Sequence, residues 1–207
     1  MKITYLPILF LLILFGQGCK QENDTCCNPQ KFNYFPISEA AIKKTPYFTN
    51  PAFDTLSFVS HEEDTITFVK TRTDSTWNCE YASGNPDNNT QNCYQILHNT
   101  YKTIRGVGSF DVTHSKENRI LGLPYNVTDV IEIKFSNLRF VFFESLINDT
   151  KDPNYVGDFY IGNKVFPKTF FQYHNFNQAE VGKGYFSAPY GLIAVTDSVN
   201  MINWKLN

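Results

Sequence analysis

The four histidines are the side chains of this sequence best suited to acid–base chemistry, because imidazole changes its charge near neutral pH. They are His61, His98, His114 and His174. None stands in a local motif with a nucleophile, and no Gly-x-Ser-x-Gly, His-Glu-x-x-His or glycine-rich phosphate loop occurs. Carboxylates pair only as neighbours such as Glu62 and Glu63, in a stretch typical of a solvated turn. The sequence therefore predicts no catalytic residue and favours a protein that is not an enzyme.

Two loops rich in Asp and Asn offer the oxygen ligands that calcium prefers. These residues are Asp149, Asp152, Asn154 and Asp158 in one loop, and Asp87, Asn88 and Asn89 in the other. Asp and Asn are also standard turn formers, because their side chains hydrogen-bond to their own backbone. Neither loop has the spaced acids of an EF-hand. We therefore predict no metal site and no cofactor.

Aromatic residues make up 16% of the chain, with 19 Phe and 12 Tyr. One group falls around a single predicted hairpin and comprises Tyr160, Phe166, Phe170, Phe171, Tyr173 and Phe176. Exposed rings could stack on sugars or line an apolar cavity, whereas buried rings would form the core of a β domain. The sequence favours the core and leaves the ligand-binding residues unknown.

The charge balance bears on the class of partner. Charged residues make up 18% of the chain, and the formal net charge is -2. Proteins that bind nucleic acid or an anionic bilayer surface usually present a basic patch. The composition therefore predicts no nucleic-acid partner.

The N-terminus has the layout of an export signal. Lys2 precedes an apolar run over residues 3–15, which is shorter than the roughly 20 residues that cross a bilayer core. Cys19 directly follows Gly18, and this junction resembles the cleavage box of bacterial lipoproteins, whose cysteine becomes the acylated first residue. Ordinary secretory cleavage nearby is the alternative.

A wider resemblance supports the lipoprotein interpretation. Residues 20–24, KQEND, resemble the tag that directs lipoproteins of the Bacteroidota to the outer face of the outer membrane. Residues 185–197, which end in YGLIAVTD, together with Trp204 resemble the tail of small outer-membrane and surface lipoproteins of the Bacteroidota. Most proteins of that kind have no assigned activity. The resemblance implies a signal peptide over residues 1–18, palmitate on Cys19, and an exported protein of the outer membrane or the cell surface.

Cysteine usage agrees with export. Besides Cys19 the chain has Cys26, Cys27, Cys79 and Cys93, an even set that predicts disulfides with three possible connectivities. Cys79 and Cys93 flank a loop full of turn formers, so we predict that they form a disulfide. Cys26 and Cys27 are left open, since a ring between neighbours is strained.

The first half of the chain is divided by its hydrophobic pattern. Residues 19–50 are predicted to be a tether and lead-in, with a short helix capped by Ser38 and ending before Pro46. The domain is predicted over residues 51–207. Alternating apolar residues predict a hairpin from residues 56–58 and 66–69, followed by a strand over residues 94–104. Residues 106–125 are polar and broken by Gly and Pro, and we predict a long connection there.

The second half is more regular. Residues 131–135 predict a half-buried strand, residues 139–143 predict a strand buried on both faces, and Gly162 and Asn163 predict a hairpin turn. A last hairpin is predicted from residues 192–196 and 202–206, with Trp204 pointing into the core. The number and spacing of these strands predict an all-β fold, a single antiparallel sandwich or barrel-like domain.

Two functions fit these expectations. The first is an exported, lipid-anchored, non-catalytic binding or interaction protein that presents a β domain to a glycan, a peptide or another partner. The second is a carrier that holds an apolar ligand in a barrel or half-barrel cavity. A large apolar cavity would favour the carrier, and a filled core with an exposed aromatic patch would favour the binding protein.

Overall fold

The structure is a computed structural model that describes residues 31–82, 90–119, 126–143, 149–173, 182–196 and 202–207. Several predictions from the sequence lie outside these residues: the signal peptide, Cys19, Cys26 and Cys27, the second Asp/Asn loop, His174 and Phe176. Among the helices of the described residues, none has the length and apolarity to cross a membrane.

Twelve strands within the described residues form one sheet. They are β1 (Lys31–Phe35), β2 (Thr55–Ser60), β3 (Thr65–Tyr81), β4 (Thr90–Arg105), β5 (Phe110–Arg119), β6 (Asn126–Phe135), β7 (Leu138–Phe143), β8 (Tyr155–Ile161), β9 (Lys164–Tyr173), β10 (Lys183–Ser187), β11 (Gly191–Thr196) and β12 (Ile202–Leu206). Two short helices, α1 (Glu39–Lys43) and α2 (Pro46–Thr49), and a 3-10 turn (Pro51–Asp54) precede β2.

The sheet is an antiparallel half-barrel, so the predicted all-β fold is confirmed. Its strand order is β7-β6-β5-β4-β3-β2-β12-β11-β10-β9-β8, and β1 adds to β4 in parallel. Each half is a meander of consecutive strands, and the halves meet where β12 pairs with β2. The sheet curls until β7 lies over β10, where a Cβ on Gly184 would come within 2.6 Å of the Phe140 ring.

Phe110 lies at the centre of the core on the concave face of the sheet. Its side chain is 0% exposed. Its ring centroid is 5.2 to 6.3 Å from those of five other aromatic residues, which are Tyr47, Phe58, Phe68, Tyr101 and Phe135. Interlocked rings at these distances form edge-to-face and tilted pairs and fill the concave side.

A second, smaller core covers the other face of β10 and β11. Tyr185 and Ala194 are opposite each other in the register and belong to this smaller cluster, together with Phe166 and Ile193. Phe186 and Leu192, the next pair along, belong to the main core. All six residues of β11 are buried because both of its faces are covered.

The lead-in segment is packed against the sheet. Ser38 caps α1 as predicted, because its hydroxyl accepts a hydrogen bond from the Ala41 backbone at 3.1 Å. Pro46 starts α2 and does not merely follow α1. Tyr47 is fully buried, and its hydroxyl accepts a hydrogen bond from the Leu192 backbone at 2.6 Å. Its carbonyl accepts a further bond from Asn99 Nδ2 at 2.7 Å.

Most of the predicted hairpins are confirmed. β2 and β3, β8 and β9, and β11 and β12 pair antiparallel as expected, and Gly162 has a φ of +59° in the β8–β9 turn. β7 has three consecutive buried residues, as predicted for a strand covered on both faces. Trp204 is partly buried and packs on the core, with its ring 5.9 Å from that of Phe135.

One expectation is wrong. Residues 106–125 are not only a connection, because they contain β5, which carries the central Phe110. β12 pairs with β11 on one side and with β2 on the other, so the last predicted hairpin lies in the middle of the sheet.

Candidate functional site

Strands β3 and β4 continue beyond the core as a long hairpin. They pair from Thr67 opposite Arg105 to Tyr81 opposite Gln91, and β1 adds a third strand along the far end of β4. Residues 75–81 of β3 are exposed at every position, so neither face of this extension is covered there. We call residues 31–35, 71–81 and 90–98 the ribbon.

A disulfide crosslinks the ribbon. Cys79 and Cys93 are opposite each other in the register, with Cα atoms 4.0 Å apart and an S–S distance of 2.08 Å. This is the pairing predicted from the sequence. Because it joins β3 to β4 at the exposed end, it restricts opening of the hairpin where few side-chain contacts do so.

Four aromatic side chains share one face of the ribbon. Phe32 and Tyr81 flank Gln91 of β4. On the same face, Tyr34 lies beside Cys93 and Trp77 lies beside Gln95. The Tyr34 ring is 6.2 Å from that of Phe32 and 5.1 Å from that of Trp77. Their exposed fractions are 44% for Phe32, 59% for Tyr34, 43% for Trp77 and 36% for Tyr81. We call these four residues the aromatic platform.

The face that carries the platform has no charged side chain along the paired positions of β3 and β4. From the Thr73–Asn99 pair to the Tyr81–Gln91 pair, its residues are Thr73, Ser75, Trp77, Cys79, Tyr81, Gln91, Cys93, Gln95, Leu97 and Asn99. The charged residues of the ribbon alternate to the opposite face, and they are Lys31, Arg72, Asp74 and Glu80.

Gln95 sets the inner limit of the platform. Its Oε1 accepts a hydrogen bond from the Ile37 backbone at 3.0 Å, and its Nε2 donates to Ser75 Oγ at 3.1 Å. The lead-in and the 3-10 turn that follows it cover this face of the sheet inward from that point, where the Tyr47 carbonyl binds Asn99 and the Phe53 carbonyl binds Tyr101. Beyond Gln95 the four platform rings on the same face are exposed, while Cys93 is buried.

The described histidines are separated. His61 lies in an exposed turn with its ring 3.7 Å from Glu62, and His98 lies 3.6 Å from Asp111 on the face opposite the platform. His114 is buried, with its Nδ1 3.4 Å from Thr45 Oγ1. Burial, and to a lesser extent the charge of Lys116, lowers the pKa of His114 to about 4. His114 is therefore neutral at pH 7 and belongs to the core.

The first Asp/Asn loop uses its carboxylates within its own turns. Asp149 Oδ1 accepts a hydrogen bond from the Lys151 backbone at 2.9 Å, and Asp152 Oδ1 accepts one from the Asn154 backbone at 2.6 Å. In the described ranges, no group of three or more His, Cys, Asp or Glu side chains is placed to hold a metal ion. The turn interpretation accounts for these bonds.

The aromatic group around the β8–β9 hairpin divides between core and surface. Phe166 and Phe170 are buried, as the core interpretation predicts, whereas Tyr160 is 64% exposed and Tyr173 also faces solvent. Tyr160 lies at a shallow, open depression of about 250 Å³ beside His61 and Lys205. These rings lie on β8 and β9, at the end of the sheet order away from β3 and β4.

The four platform residues are not among the candidate site residues predicted from the sequence. Phe32 and Tyr34 fall in the segment predicted to be a tether, and Trp77 and Tyr81 lie next to the disulfide loop. A signal was present, because Phe32 and Tyr34 are two residues apart and Trp77 and Tyr81 are four apart, and both spacings place side chains on one face of a strand. Parallel pairing of β1 with β4 is what brings the two segments together.

Comparisons with protein-family models, with curated proteins and with solved structures find no match to this chain.

Proposed function

We propose that this protein is an exported, lipid-anchored, non-catalytic binding protein and that the aromatic platform is its binding surface. The observation that carries the proposal is the clustering of Phe32, Tyr34, Trp77 and Tyr81 on one exposed face of the ribbon. Contiguous exposed aromatic surface costs solubility and is typical of interaction sites. Trp and Tyr are also the residues that most often dominate binding energy.

The architecture of the ribbon supports recognition by a pre-formed surface. The disulfide between Cys79 and Cys93 lies on the platform face between the rows of Tyr81 and Trp77, and three paired strands hold the backbone. A surface that is already rigid loses less conformational entropy when a ligand binds. The ribbon also lies outside the core, so a ligand can reach it without any opening of the domain.

A carrier function has less support. The concave side of the half-barrel, where an apolar ligand would be held, is filled by the rings around Phe110. An open depression of about 460 Å³ beside Phe53 and Tyr190 is lined by polar as well as apolar residues. Ligand pockets usually enclose most of the ligand surface. An apolar ligand would therefore have to displace packed side chains.

Export and anchoring rest on the N-terminal sequence. Replacing Cys19 with Ser should abolish lipidation, so the variant should move from the membrane fraction to the soluble fraction of the producing cell. Detergent partitioning of both proteins checks this expectation. A Cys19→Ser protein that is still processed and still fractionates with the membrane contradicts the lipid anchor.

Binding to mucin, which displays both glycan and peptide, tests the role of the platform. We expect retention on immobilised mucin to be lost in Tyr34→Ala and preserved in Tyr160→Ala, a matched control because Tyr160 is equally exposed but remote. Equal retention of both variants, or no retention of the unsubstituted protein, contradicts the proposal. A fluorescent apolar probe that binds tightly and raises the unfolding temperature would favour the carrier instead.

A further inference from the structure

We propose that the ligand of the aromatic platform is an uncharged glycan chain, an inference that rests on the function proposed above. It names the class of ligand for the same surface. Three properties of the platform face support it: its charge, its hydrogen-bonding groups and its position on an open face of the sheet.

The charge of the face excludes most ionic ligands. Lys31, Arg72, Asp74 and Glu80 alternate away from the platform, and Arg72 is engaged by Asp74 at 2.7 Å. Ligands with phosphate, sulfate or carboxylate groups are normally bound by Arg or Lys side chains or by clustered backbone N–H groups. The paired positions of the platform face present no Arg or Lys side chain, and the backbone groups between β3 and β4 are used in strand pairing. A neutral ligand fits this surface.

The polar groups between the rings fit hydroxyl groups. The primary amide of Gln91 both donates and accepts hydrogen bonds, as do the phenol groups of Tyr34 and Tyr81. A sugar hydroxyl also donates and accepts, so such groups can pair with it in either direction. The exposed rings provide flat apolar faces for the C–H side of a sugar ring. Exposed rings beside a neutral amide are thus suited to a ligand that is polar at its edge and apolar on its face.

The geometry of the platform favours a chain over a single sugar or a peptide strand. Along a strand, two residue positions span about 7 Å. Across the platform, from β1 to β3, three neighbouring strands span about 10 Å. The platform is therefore wider than one six-membered sugar ring. Extended peptides are commonly recognised by adding a strand to a sheet edge, but the platform is a sheet face. Its exposed rings also give an apolar ligand no enclosure.

The experiment uses a glycan array of neutral and anionic chains, with deglycosylated mucin as a peptide probe. We expect the full-length protein to bind neutral glycans, and we expect Tyr34→Ala and Trp77→Ala each to weaken that binding at least tenfold while Tyr160→Ala does not. Binding should be nearly unchanged when the salt concentration is raised from about 0.1 M to about 1 M, because no ion pair is involved.

The outcomes separate this inference from the proposal on which it rests. Binding only to anionic glycans, or only to deglycosylated mucin, with loss in Tyr34→Ala would overturn the glycan inference and leave the platform as the binding surface. The absence of any binding to neutral glycans overturns it as well. Neutral glycan binding that survives both platform substitutions overturns the inference and the proposed function together.

Discussion

The core around Phe110 and the aromatic platform are built from the same residue types but differ in what covers them. Both consist of aromatic rings on neighbouring strands with centroids about 5 to 6 Å apart. Phe110 is 0% exposed, whereas the platform rings expose a third or more of their surface. A count of aromatic residues therefore does not distinguish a core from a binding surface.

A single strand shows how the difference arises. On the concave face of β4, Tyr101 is buried and its hydroxyl donates to the Phe53 carbonyl at 3.0 Å. Further along the same face, Asn99 is buried beneath Tyr47, and Gln95 binds the backbone of Ile37. Past Gln95 the covering segment ends and the platform begins. The lead-in, more than the strand itself, decides where the core stops.

The largest effect is expected from truncating the central ring of the core. Phe110→Ala removes a fully buried ring in contact with five others, and such a change typically lowers the free energy of unfolding by 3–5 kcal/mol. Urea unfolding followed by circular dichroism measures the loss. A loss below about 1 kcal/mol would mean that these rings do not form the core of the domain.

Removal of the ribbon disulfide should have the next largest effect. The crosslink spans a sequence separation of 14, and closing a loop of that size restrains the unfolded chain by about 3 kcal/mol. The Cys79→Ala/Cys93→Ala protein should lose about that much stability in urea. Its stability should not change further when a reductant is added, and this serves as the control. If the unsubstituted protein and the Cys79→Ala/Cys93→Ala protein were equally stable under oxidising conditions, the result would contradict a stabilising disulfide in the ribbon.

The buried histidine gives a smaller effect that depends on pH. The pKa of His114 is lowered from 6.5 to about 4 in the folded protein, so between these values the unfolded chain binds a proton that the folded chain does not. The free energy of unfolding is therefore not reduced by His114 above pH 6.5, and it falls as the pH is lowered from 6.5 toward 4. The fall to pH 5 amounts to about 2 kcal/mol, at 1.36 kcal/mol per unit.

The comparison of His114→Phe with the unsubstituted protein isolates this effect. Urea unfolding at several values between pH 7 and pH 5 should give a shallower pH dependence for the variant, because its core carries no group that must lose a proton. Identical slopes for the two proteins would show that His114 is not held neutral by burial.

Much of the fold could be predicted from local patterns, and the failures have physical causes. Period-two alternation located β2, β3 and β6, and turn residues located the β8–β9 hairpin. β5 was missed because only Phe110 and Val112 of its inward positions are apolar, while His114 fills the third as a buried neutral ring. A polar residue in a core position weakens the pattern from which strands are predicted.

The candidate site was less predictable than the fold. The even spacing of Phe32 from Tyr34 and of Trp77 from Tyr81 predicts a ring-bearing face on each strand, but not that β1 and β3 flank the same strand. Nor does the sequence state where the lead-in ends on the sheet, which depends on the contact of Gln95 with Ile37. Exposure is a property of the tertiary arrangement, and residue types alone do not define it.

The smallest effect on stability is expected at the platform, and it tests the central claim most directly. Trp77→Ala should lower the free energy of unfolding in urea by no more than about 1 kcal/mol, the worth of its edge-to-face contact with Tyr34. The same protein should lose retention on mucin. A loss of 3 kcal/mol or more, comparable to Phe110→Ala, or unchanged retention would contradict the assignment of these rings to binding.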